Sequence, residues 1–256
     1  GLFIPTAGTF LNFVSYAIGA VRLSALSKHQ VIWVATHDSI GLGEDGPTHQ
    51  PVETASALRA IPNLDFWRPA DGNETSAAYK VAIEARHNPS VLALTRQNLP
   101  QLEGSSIEKA AKGGYVLKEV ENADITLAAT GSEVAICVDA AKELEKQGLK
   151  ARIVSLPCMS VFDKQPIDYR LSVLPSGHPI LGVEAYGKHG WAQYCHVFHG
   201  MKGFGASAPA PALYKKFLLE PQPIAEKASK VVAHYKKSNV AAVSPIELEA
   251  AFSGEA

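Results

Sequence analysis

The chain has few cysteines, no excess of either charge and no long apolar run. Its three cysteines, Cys137, Cys158 and Cys195, are far apart and odd in number. Such a set builds no disulfide framework and fits a reducing compartment, the cytoplasm, with each thiol a small buried hydrophobe. A net charge of −1 gives no broad field for nucleic acid or an anionic membrane. No apolar run reaches the roughly 18 residues of a membrane helix, and nothing reads as a secretory leader. Short-period repeats and low-complexity tracts are also missing. The chain opens Gly1-Leu-Phe-Ile-Pro5 without methionine and turns apolar at once, so it is expected to start inside a domain.

What is present fits one large globular domain or two of ordinary size: 256 residues, 46% hydrophobic and 19% charged. Apolar runs at 31–36, 90–95, 125–129, 151–156 and 179–184 read as buried strands, with Phe66-Trp67-Arg68 a shorter one. Thr9 to Leu26 reads as a largely buried helix. Gln50-Pro51-Val52-Glu53 reads as a helix start with proline at its first position. Asp71-Gly72-Asn73-Glu74 is a capping-box-like start to a helix through Arg86. Glu133 to Gln147 is an amphipathic helix ended by Gly148, Ala225 to Lys236 a surface helix, and Ser244-Pro245-Ile246-Glu247 the start of a last one. Strands alternating with helices predict an α/β fold of two consecutive domains, 1–104 and 105–256. Each is expected to hold a mainly parallel sheet flanked by helices.

Between the strand at 31–36 and Pro51 lies Thr36-His-Asp-Ser-Ile-Gly-Leu-Gly-Glu-Asp-Gly-Pro-Thr-His-Gln50, with two histidines, three carboxylates and three glycines. A solvated Asp-Gly turn accounts for the composition alone, but loops at strand ends are also where open α/β sheets place chemistry. The spacing of His37 and His49 fits no zinc motif, and the carboxylates do not alternate as calcium ligands do. Phe10, Phe13 and Tyr16 recur every third residue. On a continuous α-helix they would spread over roughly 120°, and from spacing alone core packing is the favoured reading. Arg96 ends a buried strand, where a fixed guanidinium suits a phosphate or an interface carboxylate. Arg68 also follows a strand and receives no role, nor do Asp38 and Glu44. In the second half, the glycine-rich 200–207 stretch is read as turns, and His189, His196 and His199 as structural.

Taken together, these segments resemble transketolase, a thiamine diphosphate-dependent family. Gly43-Glu-Asp-Gly-Pro-Thr-His-Gln50 resembles its signature loop, and Thr9-Phe-Leu-Asn-Phe-Val-Ser-Tyr16 its aromatic segment. Arg68-Pro-Ala-Asp71 and Leu94-Thr-Arg-Gln97 match in order and spacing. The resemblance covers essentially the whole chain and is fungal in wording. It implies a pyrimidine-binding domain over 1–104, truncated at its N-terminus, and a C-terminal domain over 105–256. The implied activity moves a two-carbon ketol unit between sugar phosphates in the pentose phosphate pathway. Phe10, Phe13 and Tyr16 would hold the cofactor's pyrimidine ring. His37 and Arg96 would bind the substrate phosphate, His49 would stabilise the developing alkoxide, and Asp45 would accept a bond from a substrate hydroxyl. His37 and His49 are thus the implied catalytic residues.

No metal ligand is implied here, because the family's N-terminal domain binds the diphosphate with Mg2+ or Ca2+. The family's catalytic glutamate would precede Gly1. The resemblance therefore implies a homodimer of a longer chain as the active form. The present chain alone is expected to be inactive, to bind no cofactor, and to self-associate or lose stability through exposed apolar surface. Dihydroxyacetone synthase and deoxyxylulose phosphate synthase share the loop's logic. Full agreement through the second domain disfavours the latter, and the ending Ser-Gly-Glu-Ala256 the former. A non-catalytic dimerisation or structural module is the alternative of another class.

Overall fold

A computed structural model describes residues 3–253, so the opening Gly1-Leu2 and the closing Gly254-Glu-Ala256 lie outside the described residues. Two sheets follow one another along the chain. The first contains β1 (Thr6–Phe10), β2 (Ile32–Thr36), β3 (Asp65–Trp67) and β4 (Ser90–Leu94), all parallel, in the order β1-β2-β4-β3. Helices α1 (Ile18–Leu26), α2 (Thr54–Arg59) and α3 (Gly72–Glu84) make its crossovers. After α4 (Ile107–Ala110) comes the second sheet: β5 (Tyr115–Lys118), β6 (Ile125–Ala129), β7 (Ala151–Ser155), β8 (Ile180–Glu184) and β9 (Val197–Gly200). Its order is β5-β7-β6-β8-β9, with only β5 antiparallel. Helices α5 (Glu133–Glu145), α6 (Met159–Asp163), α7 (Ile167–Val173), α8 (Ala210–Lys216), α9 (Pro221–Ser238) and α10 (Pro245–Ser253) surround it. Two α/β units with mainly parallel sheets are therefore present, as the alternation predicts.

The strongest hydrophobic runs became the central strands. β6, β7 and β8 are buried at every position, as fits strands covered on both faces. α9 presents Ile224, Ala225, Ala228, Val231 and Val232 to the core, a helical stripe packed on α5. Burying each of its branched side chains is worth about 1.5–3 kcal/mol. At the start of α3, Asp71 Oδ1 accepts the Glu74 N–H at 2.9 Å, while Glu74 reaches back to the Ala70 N–H at 2.7 Å. That is the predicted cap, with the reciprocal bond made one residue earlier.

Two predicted helices are corrected. Residues 9–26 are not one helix: β1 ends at Phe10, a 3-10 segment runs over Leu11–Ala17, and only Ile18–Leu26 is α-helical. Nor is this stretch largely buried, since Leu11, Val14, Val21, Ser24 and Ala25 face inward while Tyr16, Leu23 and Leu26 are exposed. β1 is an edge strand of small, half-exposed residues, so it carries no hydrophobic alternation to read. Likewise α2 begins at Thr54, and Pro51 lies before the helix rather than at its first position. The Gly187 N–H bonds the Val52 carbonyl at 2.9 Å. This crossing bond from the second half uses the Val52 carbonyl before the helix can.

The two halves share core. Ile40, Val52, Ala70 and Ala77 belong to one apolar cluster with Leu127, Val134 and Leu181. At the centre of the junction lies Arg68, fully buried. Its Nε donates to Asp38 Oδ2 at 2.9 Å, and Nη1 donates to Glu133 and, at 3.1 Å, to the Thr130 carbonyl. Its guanidinium lies 4.5 Å from the centre of the Tyr186 ring. Gly131, at φ +54°, lets the backbone approach: a Cβ there would stand 2.8 Å from Arg68 Nε. Beside it Glu184 receives both Arg59 Nη groups at 2.8 and 2.6 Å, the Thr130 hydroxyl at 2.5 Å and the Trp191 indole N–H at 2.7 Å.

Candidate active site

The carboxyl ends of three adjacent parallel strands define the site. Phe10, Thr36 and Leu94 sit side by side in the register of β1, β2 and β4. Each strand therefore delivers its next residues to the same edge, where open α/β sheets bind ligands.

From β1 comes the aromatic wall. Phe10 is the extended residue before the 3-10 segment that carries Phe13 and Tyr16. With three residues per turn, a 3-10 helix stacks positions three apart on one face. The ring centres of Phe10 and Phe13 are 6.0 Å apart and those of Phe13 and Tyr16 6.1 Å. The predicted angular spread is thus removed by the tighter helix. Tyr16 is 88% exposed, Phe10 and Phe13 are partly buried, and none of the three belongs to a buried apolar cluster. A core reading of these three aromatics does not hold.

From β2 comes His37, in the left-handed region at φ +58°. Its ring stacks on Phe10 with centres 3.7 Å apart. His49, from the other end of the loop, meets Phe13 edge-on at 5.0 Å. The structure so brings together two histidines that are distant in sequence. Each pairs its Nδ1 with the hydroxyl of the preceding threonine: Thr36 at 3.0 Å and Thr48 at 2.9 Å. A hydroxyl that donates to Nδ1 leaves the ring proton on Nε2 as a donor; which atom donates depends on the tautomer, and the Thr48 hydroxyl also lies 3.5 Å from the Asp45 carbonyl. Neither Nε2 has a hydrogen-bond partner among the described residues. Partial burial and the positive charge of Arg96 lower the His37 pKa, so it is neutral near pH 7.

From β4 comes Arg96, exposed and without an ion pair or hydrogen bond among the described residues. Asp45, on the loop, is also exposed, and its carboxylate is unpaired there. Both act electrostatically on His37, Arg96 lowering and Asp45 raising its pKa. All seven predicted residues (Phe10, Phe13, Tyr16, His37, Asp45, His49 and Arg96) therefore lie around one open edge.

What sequence reasoning missed is how the loop is held. Asp38, given no role, is buried against Arg68, and its carbonyl accepts the Tyr186 hydroxyl at 2.5 Å. Gln50 donates to the carbonyls of Gly43 and Ala206, both at 2.9 Å, and accepts the Ala206 N–H at 3.1 Å. Gly205 is needed for this clasp, because a Cβ would fall 1.7 Å from Gln50 Oε1. The Ser207 hydroxyl donates to the Glu44 carbonyl. The second half thus grips the loop on both flanks. The paired Thr-His dipeptides at 36–37 and 48–49 were the one local signal available for the histidine orientation.

A flat heterocycle fits the exposed aromatic wall. A metal does not fit this chain in the same way: among the described residues no group of three or more His, Cys, Asp or Glu side chains could hold one. His196 is structural, accepting the Ile180 N–H and facing the Val243 carbonyl, both at 2.9 Å. The three cysteines are buried and free.

Comparison with known proteins agrees with the geometry. Residues 1–101 match the family described as transketolase, pyrimidine binding domain, and residues 113–220 match the transketolase-like C-terminal domain. The chain is 64% identical to the transketolase of Scheffersomyces stipitis over 239 residues, 93% of this chain and 35% of that protein. It is 60% identical to transketolase 1 of Saccharomyces cerevisiae, covering 95% of this chain and 35% of that protein. The chain thus spans about a third of the length of the curated relatives it matches. Among solved structures, the Pichia stipitis transketolase complex with sedoheptulose-7-phosphate superposes with a TM-score of 0.93 at 63% identity, over 94% of this chain and 35% of that one. A split-gene transketolase, solved as an inactive beta4 tetramer, is 25% identical with a TM-score of 0.74, over 90% of this chain and 77% of that one.

Proposed function

Because the chain belongs to the transketolase family, carrying its pyrimidine-binding and C-terminal domains, we propose that it supplies one wall of a thiamine diphosphate site. In the complete enzyme it then takes part in moving a two-carbon ketol unit from a ketose phosphate to an aldose phosphate. The observation that carries this reading is the meeting of a partly open aromatic wall, two histidines packed on it and an exposed arginine at one sheet edge. We take residues 1–104 as the pyrimidine-binding domain and 105–256 as the C-terminal domain. The two sheets and the two matched segments, which fall on either side of that division, support it.

Bound thiamine diphosphate supplies the carbon nucleophile that holds the transferred unit. The chain's own residues do the rest. Phe10, Phe13 and Tyr16 orient the pyrimidine ring by stacking and exclude water from its face. His49 presents Nε2–H to the oxygen that gains negative charge at the reacting carbon. Neutral His37 and cationic Arg96 bind the substrate phosphate, Arg96 through its planar fork. Asp45 accepts a substrate hydroxyl and so rejects analogues that lack it. Mg2+ and the diphosphate are held by residues beyond this chain. A homodimer, a place in the pentose phosphate pathway and a cytoplasmic location complete the proposal. No helix among the described residues is long and apolar enough to cross a membrane.

The chain alone is expected to be inactive, as the split-gene relative solved as a beta4 tetramer is. The test is calorimetric titration of the chain with thiamine diphosphate and Mg2+, alongside a ketol-transfer assay on the same sample. No turnover by the chain alone, restored by adding the family's N-terminal domain, is the expected result. Turnover by the chain alone would overturn the half-site reading. Turnover unaffected by Phe13→Ala and His49→Ala in the reconstituted enzyme would overturn the residue roles.

A further inference from the structure

The second half carries a concave basic site far from the aromatic wall in the sequence, and the proposed reaction does not use it. Between β9, the end of α8 and the first turns of α9 lies a cavity of about 650 Å³. Lys188, Lys202, Lys216, Lys227, Lys230 and His199 line it. They come from the loops after β8 and β9, from β9 itself and from both helices, so five parts of the chain converge. Glu226 is the one carboxylate on the lining among the described residues, in a chain whose net charge is −1. Such a concentration is local, and low-dielectric walls around it focus the field on an entering anion.

Two of the lining cations, Lys227 and His199, are held by backbone carbonyls, while Lys188, Lys202, Lys216 and Lys230 are exposed. The half-buried Lys227 donates to the Phe198 carbonyl at 2.6 Å, which leaves two of its three N–H donors free. Burial lowers the Lys227 pKa, and neighbouring Lys202 lowers it further. Lys202 and Lys227 thus line the same cavity. His199 faces the Leu218 carbonyl through Nε2 at 2.8 Å. A carbonyl only accepts, so Nε2 carries the proton and Nδ1 is left with a lone pair. Uptake of a proton with an anion would turn that nitrogen into a further donor. Apolar surface from Phe198, Phe217 and Leu218 completes the walls. A second, apolar cavity of about 650 Å³, bounded by Val52 and the exposed Phe204, shares Lys188, Met201 and Lys202 with the first.

We propose that this cavity binds a small organic diphosphate of the nucleotide class, its phosphates among Lys202, Lys227 and Lys230 and its ring toward Phe204. Lysines on a flat face would suit a nucleic acid or a membrane. Lysines that converge in a cavity of this size suit a small ligand with concentrated charge and an apolar body.

The test is calorimetric titration of the chain at low ionic strength with ADP, inorganic pyrophosphate and adenosine as separate probes. The expected order is ADP tighter than pyrophosphate, with adenosine weakest. K202A/K230A removes two exposed lysines of the lining and should weaken ADP by about tenfold or more. Two controls should leave binding unchanged: K236A/K237A, on the same helix but outside the cavity, and Arg96→Ala at the other site. Equal loss in K202A/K230A and K236A/K237A would mean diffuse surface charge and would overturn the proposal. Loss in Arg96→Ala alone would place the ligand at the aromatic wall instead. Absence of saturable binding by ADP and pyrophosphate, adenosine binding as tightly as ADP, or an RNA oligonucleotide outcompeting ADP through the same lysines would each overturn it.

Discussion

His37 and Asp38 are neighbours in the chain, yet they belong to two regions that treat charge in opposite ways. From Asp38 inward, the junction buries Arg68, Glu133 and Glu184, leaves the Arg59 side chain only 12% exposed, and pairs each with an opposite charge. From His37 outward, the site leaves Asp45 and Arg96 exposed and unpaired among the described residues, and both histidines keep an Nε2 without a partner there. Charge spent on holding the two halves together is not available to a ligand. Charge kept open for a ligand contributes little to folding. The two regions meet at one peptide bond, so the junction can hold His37 in its left-handed conformation without contacting anything His37 would bind. Asp38 is the weak point of that anchor. Its Oδ1 is buried without a partner, and burial raises its pKa despite Arg68.

The largest effect is expected where the junction is broken. Arg68→Ala leaves Asp38 and Glu133 buried without their counter-charge, and such a removal costs about 3–5 kcal/mol. Arg68→Lys should recover only part of this, since an ammonium cannot reach Asp38, Thr130 and Glu133 with one planar fork. Urea denaturation of the three proteins measures it. A loss below about 1 kcal/mol for Arg68→Ala would mean that the junction tolerates an open charge after all.

Two buried glutamates sharpen the comparison within the junction itself. Glu74 and Glu184 are both fully buried. Burial drives Glu74 from its ordinary 4.5 to about 7, and the donors Ser155, Ala70 and Tyr115 oppose this without a cation. For Glu184 burial pushes the same way, but Arg59, then Arg68 and Thr130, outweigh it and bring it to about 2. The signs follow. Folded Glu74 holds its proton where the unfolded chain has lost it, so stability falls as pH rises from 4.5 through 7. Folded Glu184 stays ionised where the unfolded chain has protonated, so its stabilisation is lost as pH falls from 4.5 toward 2. Each is worth about 3 kcal/mol over its window. Glu74→Gln should flatten the profile between pH 4.5 and 7 and leave the acid limb intact. An unchanged slope on the upper side would show that Glu74 is not its source.

These regions differ equally in how far they could be read from sequence. Central strands announce themselves as apolar runs, so β2, β4, β6, β7 and β8 are legible within a residue or two. The edges are not. β1 is small and half-exposed, and β9 is half-buried along its length, so neither carries a pattern. On the site side, the loop and the aromatic segment were legible as a family resemblance, and their residues do gather at one sheet edge. Arg68 was passed over because everything that gives it meaning is remote: Asp38, Thr130, Ser132 and Glu133 lie 30 to 65 residues away. A local pattern can show that a charge exists at a strand end, but only the fold shows whether it is already paired.

The smallest effect is the one that separates the regions most cleanly. Arg96→Ala and His49→Ala remove side chains that fold against nothing charged. Arg96 has no bond to lose among the described residues, and His49 loses one threonine contact at 2.9 Å and edge-on contacts with Phe13 and Phe10. Substitutions of that kind stay within about 0.5 kcal/mol, against the several expected at Arg68. Removing Arg96 also takes away the nearby cation that, after burial, lowers the His37 pKa, so the ring should protonate more readily. An NMR titration of His37 in Arg96→Ala reads this directly as an upward shift of its midpoint, while urea melts of the same sample stay superimposed on the parent. A large loss of stability in Arg96→Ala would mean that the guanidinium is already committed to the fold, and the open edge would then be no readier for an anion than the junction is.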